Sequence, residues 1–228
     1  YTTGDWAYSV SLSGDGSYLV AGSWDDKIYL FNNSNSTTGS TPVLNSSTVD
    51  YITISAGSTS TCAVLVNGSV VCWGQLSSMG TGTAGNLVPM PPNSYATSVS
   101  VGSHHACMIL HNYSVYCWGT NGDGQLGTSS GAFPSQASIP AGENVIQISL
   151  AGGTSCALTI SGNVYCWGYN GYGQVGSGNV SDVFYPHLVN LGGPASSVDV
   201  GGGHTCALLR NGSVYCWGYG AVGQLGDG

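Results

Sequence analysis

The residues best placed to do chemistry in this sequence are eight cysteines, which fall in four pairs with nine residues between partners: Cys62/Cys72, Cys107/Cys117, Cys156/Cys166 and Cys206/Cys216. Such pairs can be disulfides, free thiols or metal ligands. Zinc sites favour C-x2-C spacing or mixed Cys/His clusters, and neither pattern occurs here. A hairpin decides among them. If residues 66–68 form a three-residue loop, residues 65 and 69 pair, and the register carries Cys62 opposite Cys72. Cβ atoms facing each other across a hairpin come close enough for a disulfide. Of the 105 connectivities that eight cysteines allow, the repeat selects Cys62–Cys72, Cys107–Cys117, Cys156–Cys166 and Cys206–Cys216. Disulfides of this kind imply an oxidising compartment.

Other side chains offer weaker chemistry. His105 and His204 each stand two residues before a Cys in a Gly-rich turn. They could be metal ligands or bases, but repeat architecture accounts for them, with each imidazole bonding local backbone; the equivalent residues are Ser60 and Thr154. His104, His111 and His187 are isolated, with His111 expected in a hairpin turn. Glycoside hydrolysis needs paired carboxylates. Glu143 is the only Glu, Asp25-Asp26 reads as a turn, and Asp5, Asp50, Asp182 and Asp199 are scattered. No phosphate-binding Gly-rich motif or nucleophile elbow sits between a strand and a helix. The expectation is no catalytic, cofactor-binding or metal residue, and no enzyme. Seven N-x-[ST] sequons, at Asn32, Asn35, Asn45, Asn67, Asn112, Asn179 and Asn211, are candidate glycosylation sites. Three of them, Asn67, Asn112 and Asn211, fall in expected hairpin turns.

The elements that position these residues recur. TCAVLVNGSVVCWG (61–74), ACMILHNYSVYCWG (106–119), SCALTISGNVYCWG (155–168) and TCALLRNGSVYCWG (205–218) align without gaps, and Trp73, Trp118, Trp167 and Trp217 are spaced by 45, 49 and 50 residues. That period is blade-sized for a propeller. Before each first Cys comes an alternating apolar pair (Ile54/Ala56, Val99/Val101, Ile148/Leu150, Val198/Val200), which reads as a half-buried strand. Asn67-Gly68, Ser161-Gly162 and Asn211-Gly212 supply a glycine for the φ > 0 position of the hairpin loop. The third strand ends in Cys-Trp-Gly, and internal units continue into a Pro-containing strand at Leu87-Val88-Pro89, Phe133-Pro134 or Tyr185-Pro186-His187-Leu188. The tryptophans are expected to pack between blades. Tyr116, Tyr165 and Tyr215, in the same strands, are read as facing the opposite side of the sheet.

Composition excludes several functions. Only 5% of residues are charged, the formal net charge is −8, and Lys27 and Arg210 are the only strong bases. Nucleic-acid binding needs a basic footprint, which this chain cannot form, and anionic membranes are disfavoured likewise. No apolar run reaches the roughly 18 residues of a spanning helix. Uncharged polar groups in place of salt bridges suit acid, high salt or a glycan-covered surface. Tyr1 is not a start residue, and a processed or trimmed mature chain is the simplest expectation.

The runs SVSVGSHHACMILHNYSVYCWGTNGDGQLG (98–127) and SVDVGGGHTCALLRNGSVYCWGYGAVGQLG (197–226) resemble the repeat of the regulator of chromosome condensation family. The third copy keeps its last motif as Gly173-Gln174-Val175-Gly176, while the first is degraded around Met79-Gly80. The resemblance covers about 51–228 and implies a β-propeller, most often seven-bladed in that family. Residues 9–32 resemble instead a blade of WD-repeat or quinoprotein-like propellers. The family includes nuclear exchange factors for a small GTPase and secreted protein-binding members such as β-lactamase inhibitors. The cysteine pairs and the lack of basic residues argue against the nuclear role, and a scaffold for binding macromolecules is what carries over.

The expected fold is all-β: one propeller over 1–228 with about five blades (1–47, 48–95, 96–144, 145–195, 196–228) and one intra-blade disulfide in each of four. The expected function is a non-enzymatic extracellular or cell-surface module, structural or adhesive, whose partner is another protein or itself. The expectation is no nucleic-acid binding, no membrane insertion and no cofactor, with the seven sequons as candidate sites for covalent N-glycans. The last unit lacks the sequence for one strand at the seam: residues 1–5 close the ring imperfectly, the chain is trimmed, or a neighbouring molecule completes the blade, and the last of these implies strand exchange into a filament or surface layer. The alternatives are a secreted protein- or glycan-binding propeller, inhibitor-like or lectin-like, and a glycoside hydrolase with its site in a central channel.

Overall fold

The computed structural model describes residues 10–12, 18–22, 28–32, 51–74, 87–130 and 133–228. Asn35, Asn45, Asp5, Asp25, Asp26, Asp50 and Met79-Gly80 lie outside them. Among the described residues all regular structure is β, in five antiparallel sheets that follow one another along the chain. Blade 1 is β1 (Val10–Leu12), β2 (Tyr18–Gly22) and β3 (Ile28–Asn32). Blade 2 is β4 (Tyr51–Ala56), β5 (Ser60–Leu65) and β6 (Val70–Gly74). Blade 3 is β7 (Ala96–Val101), β8 (His105–Leu110), β9 (Val115–Gly119) and β10 (Ser135–Gln136). Blade 4 is β11 (Val145–Ala151), β12 (Thr154–Thr159), β13 (Val164–Gly168) and β14 (Val183–Leu188). Blade 5 is β15 (Ala195–Val200), β16 (His204–Leu209) and β17 (Val214–Gly218).

The hairpin register is the one the spacing predicts. Cys62 faces Cys72, Val64 faces Val70, and the Leu65 amide donates to Ser69 O at 2.8 Å, closing a loop over 66–68. All four cysteine pairs are bonded within their own hairpins, with Cα–Cα separations of 4.0–4.1 Å. The third loop residue adopts positive φ in each copy: Gly68 at 79°, Gly162 at 93°, Gly212 at 88° and, in blade 3, Tyr113 at 67°. A side chain pays a steric penalty there that glycine avoids. Tyr113→Gly is therefore expected to stabilise the protein by about 0.5–1 kcal/mol, read as a raised urea midpoint; a lowered midpoint would mean that the Tyr113 ring is needed.

The Pro-containing strands take their expected outer place. β10 pairs with β9 and β14 with β13, and Leu87 bridges Val71 in blade 2. β17 has no fourth strand beside it among the described residues.

The core lies between blades rather than within one. Cys107, Ile109, Val115 and Cys117 of blade 3 pack on Val145, Ile148, Ala157 and Trp167 of blade 4. Cys156, Leu158, Val164 and Cys166 of blade 4 pack in the same way on Ala195, Val198, Ala207 and Leu209 of blade 5. Blades 3 and 4 thus each have a backward face with the Trp and a forward face with the disulfide. Tyr165 lies in the same cluster as Trp167, and Tyr116 in the same cluster as Trp118. This corrects the expected opposite orientation of the tyrosines. Two residues apart in a strand share a face, and the cysteine between them is what points the other way.

Candidate functional site

The repeated polar feature of this molecule is the joint between consecutive blades. Blade 3 ends its Gly-Gln-Leu-Gly turn with the Gln125 carbonyl aimed at blade 4, where Trp167 Nε1 donates to it at 2.9 Å and Ser155 Oγ at 3.0 Å. Blade 4 repeats the arrangement, with the Gln174 carbonyl accepting from Trp217 Nε1 and Thr205 Oγ1, both at 2.8 Å. The residue after Trp must leave room for this approach. Gly168 sits at φ 100°, and a Cβ there would lie 3.2 Å from the Gln125 Cα. Inner strands are laced by a second contact. The amides of Val101, Leu150 and Val200 donate to Ser55, Ser100 and Ser149 of the preceding blade at 3.0–3.1 Å.

Trp118 makes no such bond: its Nε1 is buried without a partner among the described residues. Trp167→Phe and Trp118→Phe remove the same volume, but only the first removes a hydrogen bond. Trp167→Phe should therefore cost about 1–2 kcal/mol more than Trp118→Phe in urea unfolding. Equal costs would mean that the Gln125 bond contributes nothing.

His105 belongs to the joint. Its ring is fully buried and folds over Gly102, where a Cβ would meet Cε1 at 2.4 Å. Nε2 lies 2.8 Å from Ser155 Oγ. Because Ser155 already donates to Gln125, it accepts here, so Nε2 carries the proton and Nδ1 is left without a partner. Burial, aided by the charge of His104, pulls the His105 pKa down to about 3. The imidazole is thus a neutral strut reaching 50 residues ahead in the chain, not a cap on local backbone as expected. His204 holds the same position in blade 5 and is half-buried. His111 lies at its hairpin turn, stacked on Tyr95 with ring centroids 4.3 Å apart.

Glu143 ties the blade 3–4 connection to the blade 4 hairpin. It accepts from Ser161 Oγ at 2.9 Å, Asn163 Nδ2 at 2.6 Å and Tyr165 OH at 3.3 Å. Burial raises its pKa, but bonds from Asn163, Thr159, Ser161 and Tyr165 outweigh that and lower it. A glycosidase acid needs the opposite shift, and no second carboxylate is among these partners. Tyr165 moves up, through burial and then the neighbouring Glu143 charge. No three His, Cys, Asp or Glu side chains gather as a metal site among the described residues.

Four of the sequon asparagines lie on exposed turns. Asn67, Asn112, Asn179 and Asn211 each accept, through Oδ1, the amide of the Ser two residues on, at 2.9–3.2 Å. Asn32 ends β3. On the turns after β13 and β17, Tyr172 meets Tyr219 with centroids 4.9 Å apart and Tyr169 at 6.2 Å, and Tyr172 is 52% exposed.

Consecutive antiparallel blades with cores between them, joined through Trp and Gln, define a β-propeller repeat scaffold. Four segments, 51–80, 96–125, 145–174 and 195–224, match the Regulator of chromosome condensation (RCC1) repeat, as do 114–158 and 161–208. The chain belongs to the RCC1 repeat family. Among solved structures it is similar to yeast RCC1 (Prp20) bound to Kap60 (TM-score 0.71, 21% identity, 93% of this chain and 56% of that one). It also resembles human WBSCR16 (0.68, 19%, 94% and 63%) and the entire ectodomain of the Physcomitrella patens receptor kinase CR4 (0.54, 22%, 89% and 48%). The chain spans about half to two-thirds of the length of these structures. No curated protein matches it.

Proposed function

We propose that this chain is a non-enzymatic propeller module of the cell exterior, serving a structural or adhesive role through protein contacts. The observation that carries this reading is the set of four hairpin disulfides seated in or beside the interfaces between blades. Such bonds form and persist in oxidising surroundings. A chain with only two strong bases does not suit a nucleic-acid-rich compartment. Exposed sequons at Asn67, Asn112, Asn179 and Asn211 are open to glycan attachment, and the CR4 ectodomain is a precedent for the fold outside the cell. The Kap60 complex of Prp20 is a precedent for protein binding by the fold. Strand addition at the β17 edge, beside which no fourth strand lies among the described residues, is the favoured assembly route.

A second reading, a secreted propeller that binds a protein or glycan on one loop face, is favoured by the exposed cluster of Tyr169, Tyr172 and Tyr219. Electron microscopy and size-exclusion chromatography of native material separate the two. Filaments or a surface layer are expected for the first. Monomers alone, with loss of ligand capture on Tyr172→Ala, would replace it with the second. Mass spectrometry that finds all seven sequons unmodified would remove the glycoprotein reading.

A further inference from the structure

Gln125 and Gln174 hold the same turn in consecutive blades, but their side chains end differently. Gln125 Oε1 accepts the Asp123 amide at 2.8 Å, and its Nε2 donates to Asp123 Oδ2 at 3.3 Å and to Thr120 Oγ1 at 3.4 Å. Gln174 Oε1 accepts the Tyr172 amide at 2.9 Å in the same way. Tyr172 stands at the position of Asp123, however, and Tyr169 at that of Thr120, so both acceptors are gone. Gln174 is 1% exposed, and its Nε2 is buried without a partner among the described residues. Buried donors are almost always paired, so one left bare calls for an acceptor from elsewhere.

The two replacements that strand this donor also build the ring cluster around it. Tyr172 lies over Gly203, where a Cβ would be 3.3 Å from Tyr172 Cδ2 and 3.4 Å from Tyr219 Cβ. The Tyr172 and Tyr219 hydroxyls make no hydrogen bond among the described residues. The cluster has no cation to hold an anionic ligand: Arg210 is bonded to Ile160 O, at the opposite, hairpin end of the blade. Flat apolar surface beside one fixed, unused donor has the composition of a small-ligand site. A pyranose matches it, since its C–H face is apolar and flat and its rim is set with acceptor oxygens.

We infer that Tyr169, Tyr172, Tyr219 and Gln174 form a binding site for a neutral glycan. One pyranose ring lies on the Tyr172 and Tyr219 rings. One of its oxygens accepts from Gln174 Nε2, in the place that Asp123 Oδ2 takes beside Gln125, with Tyr172 turned off Gly203 to admit it. The inference rests on the loop-face reading of the tyrosine cluster and names the ligand class for it.

Nuclear magnetic resonance titration of the 228-residue protein with cellotetraose, triacetylchitotriose and mannotriose tests the assignment. At least one of the three should bind with a Kd of about 1 mM or tighter, moving the signals of the Tyr172 and Tyr219 rings and of the Gln174 side-chain amide together. Tyr172→Asp restores the blade 3 arrangement, giving Gln174 Nε2 a carboxylate and removing the ring, and should weaken binding at least about tenfold. Tyr172→Phe keeps the ring and should bind within about threefold of the parent. Because residue 172 is exposed, both variants should keep the parent circular dichroism. The inference is overturned if no sugar binds at about 10 mM, if binding leaves the Gln174 amide signals unmoved, or if Tyr172→Asp binds as well as Tyr172→Phe. The loop-face reading survives those results wherever the protein still captures a protein ligand and loses it on Tyr172→Ala, so the two failures are told apart.

Discussion

Reduction of the four disulfides is expected to unfold this protein at about 37 °C. Each bridge spans ten residues of sequence separation, a short loop whose closure stabilises by roughly 2–3 kcal/mol in the chain-entropy account. Four such bridges sum to about 10 kcal/mol, comparable to the whole stability of a typical domain. The bonds are not equivalent. Cys156 and Cys166 are fully buried in the core between blades 4 and 5, whereas Cys206 and Cys216 are half-buried. Replacing Cys156 and Cys166 by Ser adds buried hydroxyls to the lost constraint, so that pair should cost about 3–5 kcal/mol. The same change at Cys206 and Cys216 should cost about 2–3 kcal/mol. Urea unfolding of the two double variants measures the difference, and non-reducing peptide mapping checks the pairing. Equal losses would mean that the burial of Cys156 and Cys166 adds nothing to the lost constraint. A reduced protein that keeps its native circular dichroism at about 37 °C would remove the bridges from any account of stability.

The parts legible in the sequence are those set by local geometry. The C-x9-C spacing and the Gly68, Gly162 and Gly212 turns specify a three-residue loop, the loop specifies the register, and the register brings the cysteines together. The Trp positions were legible as blade contacts for the same reason, since they recur at one place in each unit. What escaped was the partner of each recurring group. Nothing within 100–125 says that the Gln125 carbonyl meets Trp167, 42 residues ahead, or that His105 meets Ser155. A signal existed: the residue before the first Cys is Thr or Ser in three of four copies, and Gln-Leu or Gln-Val closes the preceding unit in the copies that keep the joint. Reading those columns together would have paired them. The orientation of Tyr116 needed no structure at all, only the period of two along β9.

Acid destabilises this protein through His105. In the unfolded chain the imidazole titrates near its ordinary 6.5, and in the fold burial holds it neutral down to about 3. Between those values the unfolded state binds a proton that the native state refuses. Stability is therefore complete above about pH 6.5 and declines steadily as pH falls toward 3, by roughly 4–5 kcal/mol at the lower end. Glu143 acts in the same direction. Its lowered pKa contributes stability above its unfolded value, which is lost as pH falls through the folded one. His105→Thr separates the two groups, because Thr is what blade 4 carries at this position as Thr154. At neutral pH the variant should lose about 1–3 kcal/mol from the lost Ser155 bond and the space left beneath Gly102. Its stability should then fall less steeply than the parent's between pH 6.5 and 3, so that the two curves meet and cross in acid. Parallel curves from urea midpoints across that range would show that His105 is not the neutral strut described. Of the harsh settings that the sparse surface charge suits, this imidazole fits high salt and not acid: a buried neutral ring tolerates screening, but not protonation.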